Sequence, residues 1–306
     1  NWERDVLEKL ALSAVQEQRR SRHWSILFKT LGFLYLFIML FLAAGWFRSD
    51  GVSIKAHTAL IDLQGVIAAD QTSADSVISS LQGAFEDKKT KGVILRINSP
   101  GGSPVQAGQI YDEIKRLKVL HPKTPLYAVV DDICASGGYY VAAGADKIFV
   151  DKASIVGSIG VLMDGFGFTQ TMQKLGVERR LLTAGENKGF LDPFSPVDPK
   201  HEAFARQMLE EIHAQFIAVV REGRGKRLKE TPEMFSGLVW SGEKSIQLGL
   251  ADGLGNVESV ARDVIKAEEI VDYTRQDSLV ERLAGRLGAT MAKAWSPFDK
   301  TGVSLR

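Results

Sequence analysis

The chain has 306 residues, 45% of them hydrophobic and 25% charged, which excludes a disordered or collagen-like polymer and leaves room for one large domain or two small ones. Lys and Arg number 38 against 37 Asp and Glu, a net charge of +1, so no overall positive field draws the chain to nucleic acid. A single cysteine, Cys134, excludes an intrachain disulfide and a zinc site built from several cysteines.

Residues 1–25 carry Val6, Leu7, Leu10, Leu12 and Val15 among charges at roughly helical spacing, as in a solvated or membrane-skirting helix; a partner site is the alternative. From Ile26 to Phe47 only Lys29, Thr30, Gly32 and Gly45 interrupt an apolar run. As a helix this run extends about 33 Å, enough to cross a bilayer core. Trp24 just before the run and Trp46 near its end sit where interfacial aromatics belong, and the stem of Lys29 reaches back toward the headgroups. Arg19, Arg20, Arg22 and His23 precede the run and Arg48, Ser49 and Asp50 follow it, so the positive-inside bias puts the N-terminus in the cytoplasm and the rest of the chain outside it. A cleaved signal peptide competes, because Ala43, Ala44 and Gly45 are small. The run is longer than a signal core, which favours an uncleaved anchor.

After a linker over residues 48–55, the span 56–270 alternates β-like and helix-like segments. Thr58–Ile67, Gly92–Ile97, Leu126–Val130 and Lys147–Val150 are rich in Val, Ile and Leu and predict buried strands. Ser73–Phe85 and Val105–Leu120 place apolar residues at three- and four-residue steps, as helices packed on a sheet. This order predicts an α/β fold of βαβ units with right-handed crossovers. Helical patterns follow over Pro199–Arg221, Trp240–Gly249 and Val257–Ala267. Residues 271–306 include an amphipathic run (Leu279, Leu283, Leu287, Met291) and a polar tail, either a subunit contact or a frayed end.

Three segments are candidates for chemistry. Asn98-Ser99-Pro100-Gly101-Gly102-Ser103 ends a strand and opens a helix, where paired glycines free the backbone to aim amide N–H groups at an oxyanion; a tight turn without a ligand is the plainer reading. Cys134-Ala135-Ser136-Gly137-Gly138-Tyr139-Tyr140 sits at a second such bend. Ser136 there is either a helix cap or a nucleophile beside the Gly137 N–H, without the G-x-S-x-G pattern of the nucleophile elbow. Cys134 in an apolar strand end reads as packing. A serine nucleophile needs a base. No histidine lies between Ser136 and His201, and His201 and His213 fall on a charged helix where a solvated role is expected. Lys188 lies in a Gly- and Pro-flanked loop that turns apolar after it. Burial would favour the neutral amine that a lysine base requires, whereas a plain surface lysine is the alternative.

The order and spacing of NSPGG, ASGGYY and the loop lysine resemble the signal peptide peptidase A family, peptidase family S49, in its short membrane-anchored form, with the homologous SohB proteases as the relative to exclude. The resemblance covers about Ala56 to Asp252, including VGSIGV (Val156–Val161) and WSGEKSIQLGLAD (Trp240–Asp252). It implies a ClpP/crotonase-like fold behind one transmembrane helix, Ser136 as nucleophile, Lys188 as general base, and backbone N–H donors at Gly102 and Gly137. Ser158 would orient the base. It also implies a homo-oligomeric ring or dome whose sites are shared between protomers, remnant signal peptides and other short apolar peptides as substrates, and no metal or cofactor. The catalytic domain would lie on the outer face of the bacterial cytoplasmic membrane. Phe166, Phe168, Phe190 and Phe194 are candidates for apolar specificity pockets, with core packing as the alternative. A SohB-like quality-control protease, an acyl-CoA enzyme of the crotonase type and a non-catalytic membrane scaffold are the competing functions.

Overall fold

The structure, a computed structural model, describes residues 2–43 and 55–275. It divides into two units, with residues 2–43 in the first and residues 55–275 in the second. In the first, α1 (Trp2–Ala43) is one unbroken helix, so the charged lead and the apolar run are continuous. Its stretch Gln18–Phe41 is long and apolar enough to cross a membrane. Trp46, Arg48, Ser49, Asp50, most of the 48–55 linker and the amphipathic run from Leu279 to Met291 lie outside the described residues.

In the second unit, strands β1 (His57–Gln64), β2 (Thr90–Ser99), β3 (Leu126–Ala135), β4 (Lys147–Val150) and β5 (Ile155–Gly157) alternate with helices α2 (Ala74–Glu86), α3 (Pro104–Leu120) and α4 (Gly137–Ala142). Then come α5 (Thr169–Lys174), α6 (Pro199–Arg224), β6 (Val239–Ser241), α7 (Gly242–Gln247), β7 (Gly253–Leu254), α8 (Val257–Ser259) with a π-helical turn (Val260–Ile265), and β8 (Ile270–Asp272). The sheet order is β6-β5-β3-β2-β1-β8, with β4 and β7 branching from β3. Every pairing is parallel except β5 with β6.

Strand β3 pairs with β4 through Tyr127–Val129 and with β5 through Ile133–Ala135, so it changes neighbours midway. Ala59, Ile61, Leu63, Val93, Leu95 and Ile97 face the main core under α2 and α3, while Leu60, Ile94 and Val129 face a smaller core under Val257, Val260 and Ala261. Burial on both faces is why these strands read as unbroken apolar runs.

The structure corrects three expected boundaries. The first strand ends at Gln64, because Gly65 takes a positive φ of 80° and turns the chain, leaving Ile67 to form isolated bridges. Trp240 lies in β6 instead of a helix; Ser241 caps α7 by accepting from Lys244 N–H, which starts that helix only at Gly242. The third strand continues to Ala135 and delivers Ser136 directly.

Between β5 and α6 runs a long excursion, the arm, whose one helix, α5, buries no residue. Leu162, Phe166, Leu175 and Leu182 stand exposed on it, Leu182 almost completely at 97%. The far end of α6 is anchored: fully buried Arg224 donates to the Gly249 carbonyl and to Asp252 at 2.8 Å. Asp252 also accepts from Ile148 N–H, and Tyr139 donates to the Leu250 carbonyl, so the WSGEKSIQLGLAD segment fastens α4, β4 and α6 together. Burial alone would raise the Asp252 carboxyl, but the Arg224 hydrogen bond and charge outweigh it and hold it below the usual carboxylate range.

Candidate active site

Parallel β2 and β3 end side by side, with Ser99 opposite Cys134, so the two loops that follow them meet. Ser136 occupies the bend into α4 with φ 51° and ψ −124°, a conformation costly for a residue with a Cβ, and its side chain makes no capping hydrogen bond. The capping alternative is thereby removed, and the hydroxyl is left available. The bend is held by Ser136 N–H donating to the Gly157 carbonyl and Tyr140 N–H to the Ser136 carbonyl. Cys134, two residues before Ser136 in β3, is fully buried, and burial pushes its thiol far up, so it packs as expected.

The first glycine loop crosses directly over this bend. A Cβ on Gly101 would fall 2.6 Å from the Ser136 Cβ and 2.7 Å from the Gly137 nitrogen, while a Cβ on Gly137 would lie 3.3 Å from the Gly102 nitrogen. Only glycine permits that approach. The Gly137 N–H belongs to the first turn of α4, where amides have no partner within the helix. Among the described residues the Gly102 N–H likewise donates to no backbone carbonyl.

Gly102, Ser136, Gly137 and Ser158 line one cleft of about 530 Å³, whose apolar wall includes Tyr140 and Phe216. Ser158 also has a positive φ, 52°, and its N–H donates to the Leu238 carbonyl. Four of the five expected site residues are therefore brought together. Lys188 is not among the cleft's lining residues and is exposed within the single chain, so the expected burial is not found there.

The physical reason lies in α6. Near its start, His201 shares a 3.1 Å hydrogen bond with Asn187 and packs its ring tilted against Phe190, and Phe204 meets Phe190 edge-on, so the Lys188 loop hangs on this end. The cleft instead faces Ile212, Gln215 and Phe216, about 20 Å further along the helix axis at 1.5 Å per residue. His213 in this middle stretch donates from Nε2 to the Ile159 carbonyl and braces the Ser158 segment. Neither histidine is merely solvated, as the charged helix had suggested.

Phe166 and Phe168 line a separate groove between the arm and α6, and Phe194 stacks on Phe168 at 5.5 Å; none of the four phenylalanines lines the Ser136 cleft. Ile212 and Phe216 were legible only as a four-residue apolar step on α6. Ile67, which pairs with Gly102, was legible only as the apolar end of the expected strand Thr58–Ile67, with no sign of that pairing.

Comparison with known proteins agrees with this geometry. The family model described as Peptidase family S49 matches residues 118–271, and that described as Clp protease matches residues 51–156. The latter accords with the ClpP-like layering of βαβ units. A Brucella abortus protein named Na(+)/H(+) antiporter NhaA is 43% identical over 216 residues, which are 69% of this chain and only 29% of that protein. A putative signal peptide peptidase SppA of Enterococcus faecium is 30% identical over 234 residues, 74% of this chain and 67% of that one. A probable protease SohB of Haemophilus influenzae is 30% identical over 232 residues, 74% and 64% of the two chains. With these matches in agreement with the strained serine and its two glycine amides, the chain belongs to peptidase family S49 and is similar to proteins named SppA and SohB.

Proposed function

We propose that the protein is a membrane-anchored endopeptidase in which Ser136 is the nucleophile and Lys188 of a neighbouring copy is the general base. The observation that carries this reading is the strained Ser136, uncapped and facing two unpaired amides in one cleft. Neutral Lys188 takes the Ser136 hydroxyl proton as the oxygen attacks a peptide carbonyl. The N–H groups of Gly102 and Gly137 hold the oxyanion of the tetrahedral intermediate. Lys188 then returns the proton to the leaving amine, and water, deprotonated in turn by Lys188, hydrolyses the acyl-enzyme. Ser158, in the same cleft, orients the amine.

A neighbour's lysine is favoured because the lysine loop hangs on one end of α6 and the serine cleft faces its middle. The exposed Leu162, Phe166, Leu175 and Leu182 on the arm give the copies an apolar surface to assemble through, as a ring or dome. The substrates are remnant signal peptides and similar short apolar peptides. An extended strand fits a cleft walled by Tyr140, Ile212 and Phe216. The span within Gln18–Phe41, preceded by Arg19, Arg20 and Arg22, anchors the protein in the cytoplasmic membrane with its N-terminus inside and the catalytic unit outside.

Labelling of the detergent-extracted protein by a serine-acylating probe tests the core of this reading. One label per active chain at Ser136, lost in Ser136→Ala, is expected; undiminished labelling of the variant contradicts it. Accumulation of signal-peptide fragments in cells lacking the protein tests the substrate, and normal turnover of those fragments points to other membrane-protein substrates.

A further inference from the structure

We infer that the Gly65–Thr72 loop is a backbone clamp that sets the Gly102 amide for catalysis, with Ile67 and Thr72 as positioning residues. The inference rests on the reading of Gly102 as an oxyanion donor.

Ile67 grips the glycine turn on both sides of Gly102. Its N–H donates to the Gly101 carbonyl at 2.9 Å, and its carbonyl accepts from Ser103 N–H at 2.8 Å. The other N–H groups of the turn are accounted for, since Pro100 has none and Gly101 N–H donates to the Ser99 hydroxyl at 3.1 Å, while the Ser103 hydroxyl accepts from Gln106 N–H. Among the N–H groups of the turn, the amide of Gly102 is the one this pattern leaves over, close to Gly137. The grip is close enough to dictate the residue, since a Cβ on Gly102 would fall 2.2 Å from the Ile67 carbonyl oxygen. Ile67 is itself immobilised, fully buried in the main core.

The rest of the loop closes on itself. Gly65 N–H donates to the Asn98 carbonyl, extending the β1–β2 register by one bond. Thr72 N–H donates to the Val66 carbonyl, Ala68 N–H to the Thr72 carbonyl, and the Thr72 hydroxyl to the Gln64 carbonyl. Thr72 therefore joins the end of the loop to its start, and Ile67 sits between the two. Neither residue lines the cleft. Their effect on the reaction passes through the angle of one N–H, and an oxyanion donor acts only when aimed at the charge as it develops.

The test replaces Thr72 by Val, which keeps the shape and removes the hydroxyl. Peptidase activity and the affinity of a peptide aldehyde, which adds the Ser136 oxygen across its C=O to form a hemiacetal, are measured on the full-length protein. A roughly 10-fold fall in kcat is expected with KM unchanged, and the aldehyde should weaken by the same factor. Thr72→Ser should restore both to within about 3-fold, and in Thr72→Val the Ile67 and Ser103 amides should exchange hydrogen faster. Wild-type kcat and aldehyde affinity in Thr72→Val, or a loss confined to KM, overturns the clamp alone. A wild-type protein that forms no adduct at Ser136 overturns the clamp together with the site reading beneath it.

Discussion

The Ser136 cleft and the Lys188 arm are built on opposite principles. The cleft lies where two parallel strands end together, and its loops are locked by backbone hydrogen bonds and glycine contacts too close for any other residue. The arm buries nothing in α5, exposes large apolar side chains, and is tied to the domain by the His201–Asn187 bond and the Phe190 cluster on α6. A group that must hold an oxyanion within a fraction of an ångström is placed on rigid elements. In the proposed function, the group that would reach another subunit stands on the exposed arm, whose surroundings a single chain does not supply.

This contrast can be broken at its rigid end first. Ser136→Ala should lower kcat/KM by about 10⁴-fold or more while thermal unfolding is unchanged, because the hydroxyl makes no capping bond. Activity within 10-fold of wild type would remove the site. Arg224→Met should cost about 3–5 kcal/mol in denaturant unfolding, because Asp252 would then keep its charge without its buried partner. The sign with pH follows from the lowered Asp252 carboxyl: its contribution is present above the unfolded value near 3.9 and is lost as pH falls through the folded one. The unfolding gap between wild type and Arg224→Met should therefore narrow on acidification, and a gap that widens contradicts the pairing.

Gly102→Ala should reduce kcat by about 10²–10³-fold, since the Ile67 carbonyl forces the turn and its amide aside. The arm should respond differently. Leu182→Ser at a 97% exposed position should change the unfolding free energy of the domain by no more than about 0.5 kcal/mol, yet lower the oligomer's mass in light scattering, and activity with it. An oligomer of unchanged mass and activity in Leu182→Ser would contradict an assembly role for this side chain.

Much of the rigid half was legible in the chain. Strands buried on both faces show as runs such as Gly92–Ile97, Ser73 and Ser103 mark helix starts, and adjacent glycines after a strand mark the places where loops cross. What was not legible depended on partners distant in sequence. Trp240 reads as helix until β5 is there to pair with it, and His213 reads as solvated until the Ile159 carbonyl lies beside it. Ile67 gives no hint of its grip on Gly102, because that grip uses main-chain groups that every residue carries. Lys188 was recognisable by its spacing from Ser136, but the burial expected around it is not supplied by the single chain.

Subunit complementation tests the central claim most directly. Ser136→Ala and Lys188→Ala proteins, each inactive alone, are mixed, dissociated and reassembled. With serine and base drawn from adjacent chains, random one-to-one assembly should restore about a quarter of wild-type activity, since one neighbouring pair in four carries both intact groups. Activity that stays at the level of the separate variants, in oligomers shown to contain both chains, would place Ser136 and Lys188 in the same protomer and contradict the account.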